Sequence, residues 1–107
     1  MFTKRSKIKL IVQEYKESLL NLGIRVQKVV LFGSHSKGRA HEYSDIDLII
    51  VSEDFSRMNL RQRLEVLGIA AARIMKPVEA KGYTLAEIKK ASPLNFLGEA
   101  LSSGVLV

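Results

Sequence analysis

Two acids one residue apart, Asp45 and Asp47, open the apolar run DIDLIIV. Side chains on a strand alternate between faces, so both acids point one way. Ile46, Leu48 and Ile50 point the other way, toward a core. Carboxylates ~6.5–7 Å apart along a strand can share one divalent ion or hold two ions ~3.5–4 Å apart. Mg²⁺ suits such a site, because it takes oxygen ligands, keeps several waters and is completed by substrate phosphates. Without a cation the pair is unfavourable, since each charge disfavours the other's ionisation. An Asp-x-Asp by itself is more often two solvated acids at a strand start.

A second feature precedes the acids. The apolar run KVVLF ends in Gly33-Ser34, and ten residues separate Ser34 from Asp45. Glycine lets a ligand approach the backbone with no Cβ in the way. Ser34 and the N–H groups after it stand where a short helical turn could begin, and such N–H groups cradle phosphate oxygens. If the two strands are antiparallel, the short connection brings the Gly-Ser turn and the acids to one end of a sheet. Lys37 and Arg39, on that connection, could add positive charge against phosphate.

The remaining elements must hold these two features together. Apolar residues at helical spacing (Ile8, Ile11, Val12, Tyr15, Leu19) predict a helix from about residue 4 to 22, stopped by Gly23. Strands are predicted over 26–32 and 45–51. Asn59 caps a helix to about Met75, with Leu60, Leu64, Leu67, Ala71 and Ile74 on one face. Gly68 within it suggests close packing, since glycine in a helix costs roughly 1 kcal/mol relative to alanine. Val78 to Tyr83 reads as a third strand, and Thr84 with Glu87 as the capping box of a short helix. Ser92-Pro93 opens a last helix to about Ser102. The uncharged tail Val105-Leu106-Val107 is either a fourth strand or an edge buried in a homo- or hetero-oligomer.

The chain has 107 residues and a net charge of +6, which predicts one domain and an anionic partner or merely a solvated basic surface. It has no cysteine, which excludes disulfides and Cys-based metal sites and fits a cytoplasmic location. No long apolar region follows the basic N-terminus, so a signal peptide is not expected. Nor does any stretch approach the ~20 apolar residues of a membrane span. His35 and His41 read as surface loop histidines. Arg57, Arg61 and Arg63 could form a basic strip but more often line a solvated helix face. Tyr43 could stack on a base or pack on its loop. Glu53-Asp54 reads as a polar strand exit.

Together the spaced motifs resemble those of the DNA polymerase β-like nucleotidyltransferases, and more narrowly the minimal nucleotidyltransferases. GSHSKG resembles that family's Gly-Ser-x-Ala-Arg-Gly, and YSDIDLIIV its Ser-Asp-Ile-Asp-Leu run. Ser36-Lys37 stands where the family has Ala-Arg; lysine keeps the charge and loses the bidentate fork. The family carries a third carboxylate on a later strand, which the resemblance assigns to Glu79 in KPVEAKGYT. It implies an α/β (α+β) fold: a small mixed sheet with helices mainly on one face. It implies catalytic and metal-holding Asp45, Asp47 and Glu79, and nucleotide-binding Gly33, Ser34, Lys37 and Arg39. It implies Mg²⁺, two ions with Mn²⁺ as a substitute, and ATP as substrate. The implied partner is a HEPN-domain RNase toxin, neutralised by AMP transferred to a tyrosine hydroxyl. Two rivals are an antitoxin that only binds and a nucleotidyltransferase acting on an aminoglycoside-like small molecule. A pure nucleic-acid-binding module leaves the motif spacing unexplained.

Overall fold

The computed structural model describes residues 4–33, 46–90, 98 and 104–107. Helix α1 (Lys4–Asn21) leads into strand β1 (Lys28–Phe32), and β2 (Ile46–Val51) follows. A 3₁₀ turn (Glu53–Arg57) precedes α2 (Leu60–Ile74), β3 (Val78–Tyr83), α3 (Leu85–Lys89) and β4 (Val105–Leu106). The sheet runs in the order β3-β2-β1-β4. β1 is antiparallel to both β2 and β4, while β2 and β3 are parallel. The parallel pair requires a crossover, and α2 supplies it. The mixed α/β architecture expected from the sequence is the one observed.

One face of the sheet carries most of the core. Ile8, Val12, Tyr15 and Leu19 recur along one side of α1 and are buried against Val29, Leu31, Ile46, Leu48 and Ile50. Leu67 and Ala70 bring α2 onto the same face. Burying polar groups between two helices is costly unless they are bonded, and here they are. The Tyr15 hydroxyl donates to the Leu67 carbonyl at 2.8 Å, and Ser18 to that of Ala70 at 3.0 Å. Burial pushes the Tyr15 phenol above its ordinary range.

Gly23 ends α1 as expected, with φ of 91°. Asn59 and Gln62 form the capping box of α2, and Thr84 and Glu87 that of α3. Glu53-Asp54 is more than a strand exit. Ser52 caps the 3₁₀ turn, Asp54 accepts from the Arg25 N–H at 2.8 Å, and Glu53 accepts from the Leu85 N–H at 3.1 Å. Gly68 corrects an expectation: a Cβ added there meets nothing within 4 Å, so no tight contact requires the glycine. The tail is a fourth strand on β1, and Val107 packs against the main core. The helix expected from Ser92 lies outside the described residues, apart from Gly98, which is helical. Among the described residues no helix is long and apolar enough to cross a membrane.

Candidate active site

Strand register builds the site. β1 ends with Phe32 opposite Asp47, and Asp47 stands opposite Glu79 on β3. Neighbours in register share a face, so Phe32, Asp47 and Glu79 form one row across three strands. Adjacent strands lie ~4.7–4.9 Å apart, which sets the two acids side by side. Asp47 is half-buried and Glu79 is exposed. This is the face away from α1 and α2. Its apolar cover is a small cluster of Val30, Ile49 and Val51, flanked by Phe32, Tyr83, Leu85 and Ile88.

Gly33 follows Phe32 with φ of 74°, a left-handed conformation that disfavours any residue with a Cβ. A Cβ there would run into the Asp47 carboxylate, meeting Oδ2 and lying 3.1 Å from Cγ. The sequence suggests that the missing side chain opens backbone to a ligand. The space a Cβ would fill holds a carboxylate of the chain itself. Glycine therefore lets the turn and the acid occupy one corner, at the end of the sheet where β1 meets β2. The antiparallel pairing on which that juxtaposition depends is observed.

Ser34, Lys37, Arg39 and Asp45 lie outside the described residues, as do His35, His41 and Tyr43. Among the described residues no cluster of three acids or histidines could hold a metal ion. The two described acids do suit a hard cation. Their donors are oxygens, they share a face, and Glu79 is open to solvent, where waters and phosphates can complete a coordination shell.

The far end of β3 is organised differently. A groove of about 540 Å³ is bounded by Met58, Leu60 and Leu64 on one side and by Lys81, Tyr83 and Glu87 on the other. Neither Asp47 nor Glu79 lines it. At its base Arg63 Nε donates to the carbonyls of Phe55 and Met58, both at 3.1 Å. Its Nη1 donates to the Gly82 carbonyl at 3.2 Å and to Glu87 at 2.7 Å. The guanidinium also stands 5.8 Å from the centre of the Phe55 ring. Arg63 departs from the solvated helix face expected of the three arginines, being a largely buried strut, whereas Arg61 pairs with Glu65 on the surface and Arg57 is exposed. Burial works to raise the Glu87 carboxyl, but bonds from Arg63 and Thr84 outweigh it and hold the group below its ordinary value. Burial and then the Glu87 charge push the Tyr83 phenol up, against the opposing effect of Arg63.

Residues 6–97 match the family model for the nucleotidyltransferase domain. The chain belongs to that family. This nucleotidyltransferase also resembles solved structures over most of its length. One is a Sulfolobus solfataricus protein assigned as a nucleotidyltransferase, 21% identical, with a TM-score of 0.61 over 92% of this chain and 76% of that one. A second is a toxin–antitoxin with AMP-PNP, 25% identical, with a TM-score of 0.58 over 88% and 70% of the two chains. A third is a variant of the toxin–antitoxin MntA–HpeT in which two aspartates are exchanged for glutamates. It is 19% identical, with a TM-score of 0.54 over 92% of this chain and 69% of that one. No curated protein matches the chain.

Proposed function

We propose that residues 1–107 act as one nucleotidyltransferase domain that moves AMP from ATP to a tyrosine hydroxyl of a HEPN RNase toxin, and so serves as its antitoxin. The observation that carries the reading is the row Phe32–Asp47–Glu79 with Gly33 folded against the Asp47 carboxylate. Membership of the family supports transfer, and likeness to toxin–antitoxin structures, one with AMP-PNP, supports the partner and the nucleotide.

In this reading Gly33 and Ser34 hold the phosphates, while Lys37 and Arg39 balance their charge. Asp45, Asp47 and Glu79 would hold Mg²⁺. Bound there, the ion supplies neutralisation of phosphate charge and acidifies the acceptor hydroxyl. The acceptor oxygen forms a bond to the α-phosphorus, the bond from that phosphorus to the bridging oxygen breaks, and pyrophosphate leaves. Glu79 takes the proton lost by the hydroxyl. Positioning and electrostatics carry nearly all of such a reaction.

The test is incubation of the chain and a HEPN toxin with ATP labelled on the α-phosphate. Label is expected on the toxin, on tyrosine, with loss of its RNase activity. A stable complex that inhibits the RNase without label on the toxin would replace transfer by simple blockade.

A further inference from the structure

The sheet face bearing the acids is laid out in three rows by register. Phe32, Asp47 and Glu79 form the first; Val30, Ile49 and Lys81 the second; Lys28, Val51 and Tyr83 the third. Two lysines of the described strands thus share the face with the acids. Lys81 follows Glu79 by two residues on the same strand, so ~6.5–7 Å separates their positions. A four-carbon stem carries an ammonium across that gap. Lys28 is four residues from Phe32, ~13 Å away along β1, and lies at the opposite end of the face. Among the described residues β3 is the edge strand, and no further described strand flanks Lys81 on its outer side. The residue is half-buried, with its stem beginning beside the buried Ile49, and it also borders the groove at the far end of β3.

On the proposed reading, a triphosphate meets the two carboxylates of the first row, Asp47 and Glu79. Together they carry more negative charge than two divalent ions offset. A cation in the adjoining row meets that excess. We propose that Lys81 is a nucleotide-binding residue, whose ammonium contacts the phosphate oxygens of the bound nucleoside triphosphate. The inference rests on the nucleotidyltransfer reading and adds to it a contact outside the two motifs. The competing role is an exposed ion pair with Glu79, which would affect the metal-free protein and leave nucleotide affinity untouched.

Binding of AMP-PNP with Mg²⁺ to the full chain, followed by calorimetry, separates the two. Lys81→Gln should weaken binding about tenfold or more, as expected for loss of a hydrogen bond to a charged group. Lys81→Arg should restore binding to within about threefold, since it keeps the charge. Lys28→Gln removes the same charge from the same face and should leave affinity unchanged. Thermal unfolding of each variant without nucleotide checks that the fold is intact. Native affinity in Lys81→Gln would overturn the assignment. An equal loss in Lys28→Gln would also overturn it, by showing a diffuse field effect. Failure of the unaltered chain to bind AMP-PNP would instead remove the nucleotide reading itself, and Lys81's role with it.

Discussion

Gly33 and Gly82 stand at opposite ends of the sheet, and each makes room for one side chain. At Gly33 the neighbour is the Asp47 carboxylate; at Gly82 it is the Phe55 ring, 2.7 Å from an added Cβ. The surroundings then diverge. Phe55 is buried in the main core, and Arg63 ties its carbonyl to that of Gly82. Asp47 sits beside an exposed acid on the face with the smaller core. The same device thus fixes packing at one end and crowds negative charge at the other. Like charges side by side disfavour each other's ionisation, whereas Gly82 is accounted for by packing alone.

The sharpest way to break this comparison is to exchange each glycine for alanine. Gly33→Ala should cut transfer by about a hundredfold or more, because it displaces Asp47 from its corner. Asp47→Asn should do the same while keeping the shape. Without ligand Asp47→Asn should lose little stability and could gain some, since one like charge is removed. The unaltered chain should be stabilised by Mg²⁺ and ATP by about 2.7 kcal/mol at a hundredfold excess over Kd, and Asp47→Asn should lose most of that. Equal stabilisation of both proteins, read by thermal unfolding, would remove Asp47 from the site.

Gly82→Ala should show the opposite profile. Its methyl presses on a buried ring that cannot swing into solvent, and overpacking of this kind costs about 1–3 kcal/mol. Activity per folded molecule should stay near the native value. A variant that melts normally but has lost transfer would show that the far end of β3 belongs to the chemistry. The comparison would then collapse.

How much of this was legible in the sequence depends on the range of the forces. Capping boxes are local, and Thr84 with Glu87 is found as read. Alternation along β2 is local too, and Ile46, Leu48 and Ile50 face the main core as expected. The juxtaposition of Gly33 with Asp47 follows from one turn and one antiparallel pairing. Register between β2 and β3 is not local: it sets Asp47 beside Glu79 across a crossover helix, and only family resemblance pointed there. Arg63 was illegible because its partners are carbonyls and an acid brought together by the fold. Three arginines at short spacing look alike until one is found inside. Gly68 was misread, since a glycine seen in sequence does not reveal whether anything stands opposite it.

That misreading gives a third, smaller test, because Gly68 lies in a helix with open space around an added Cβ. Gly68→Ala should therefore stabilise the protein by roughly 0.5–1 kcal/mol, where the other two glycine exchanges harm it. A loss of stability would mean that some contact at Gly68 does require the glycine, and the contrast among the three would blur.

The smallest effect concerns the Arg63–Glu87 pair at the far end of β3. Glu87 is held below its ordinary value of 4.5, against burial, by Arg63 and Thr84. A carboxyl with a lowered folded pKa stabilises the fold above its unfolded pKa. That contribution is lost as pH falls through the folded pKa. The Glu87 side chain is 42% exposed, so solvent screens the pair, and the contribution should stay below about 1 kcal/mol. Arg63 itself is only 12% exposed and keeps its three carbonyl partners when Glu87 is neutral. The strut should therefore loosen on acidification without breaking. Unfolding of the native chain and Glu87→Gln should differ most near pH ~7 and converge toward pH ~3. A gap that stays constant over that range would assign Glu87's contribution to its neutral hydrogen bonds, leaving Arg63 to hold the far end through carbonyls alone.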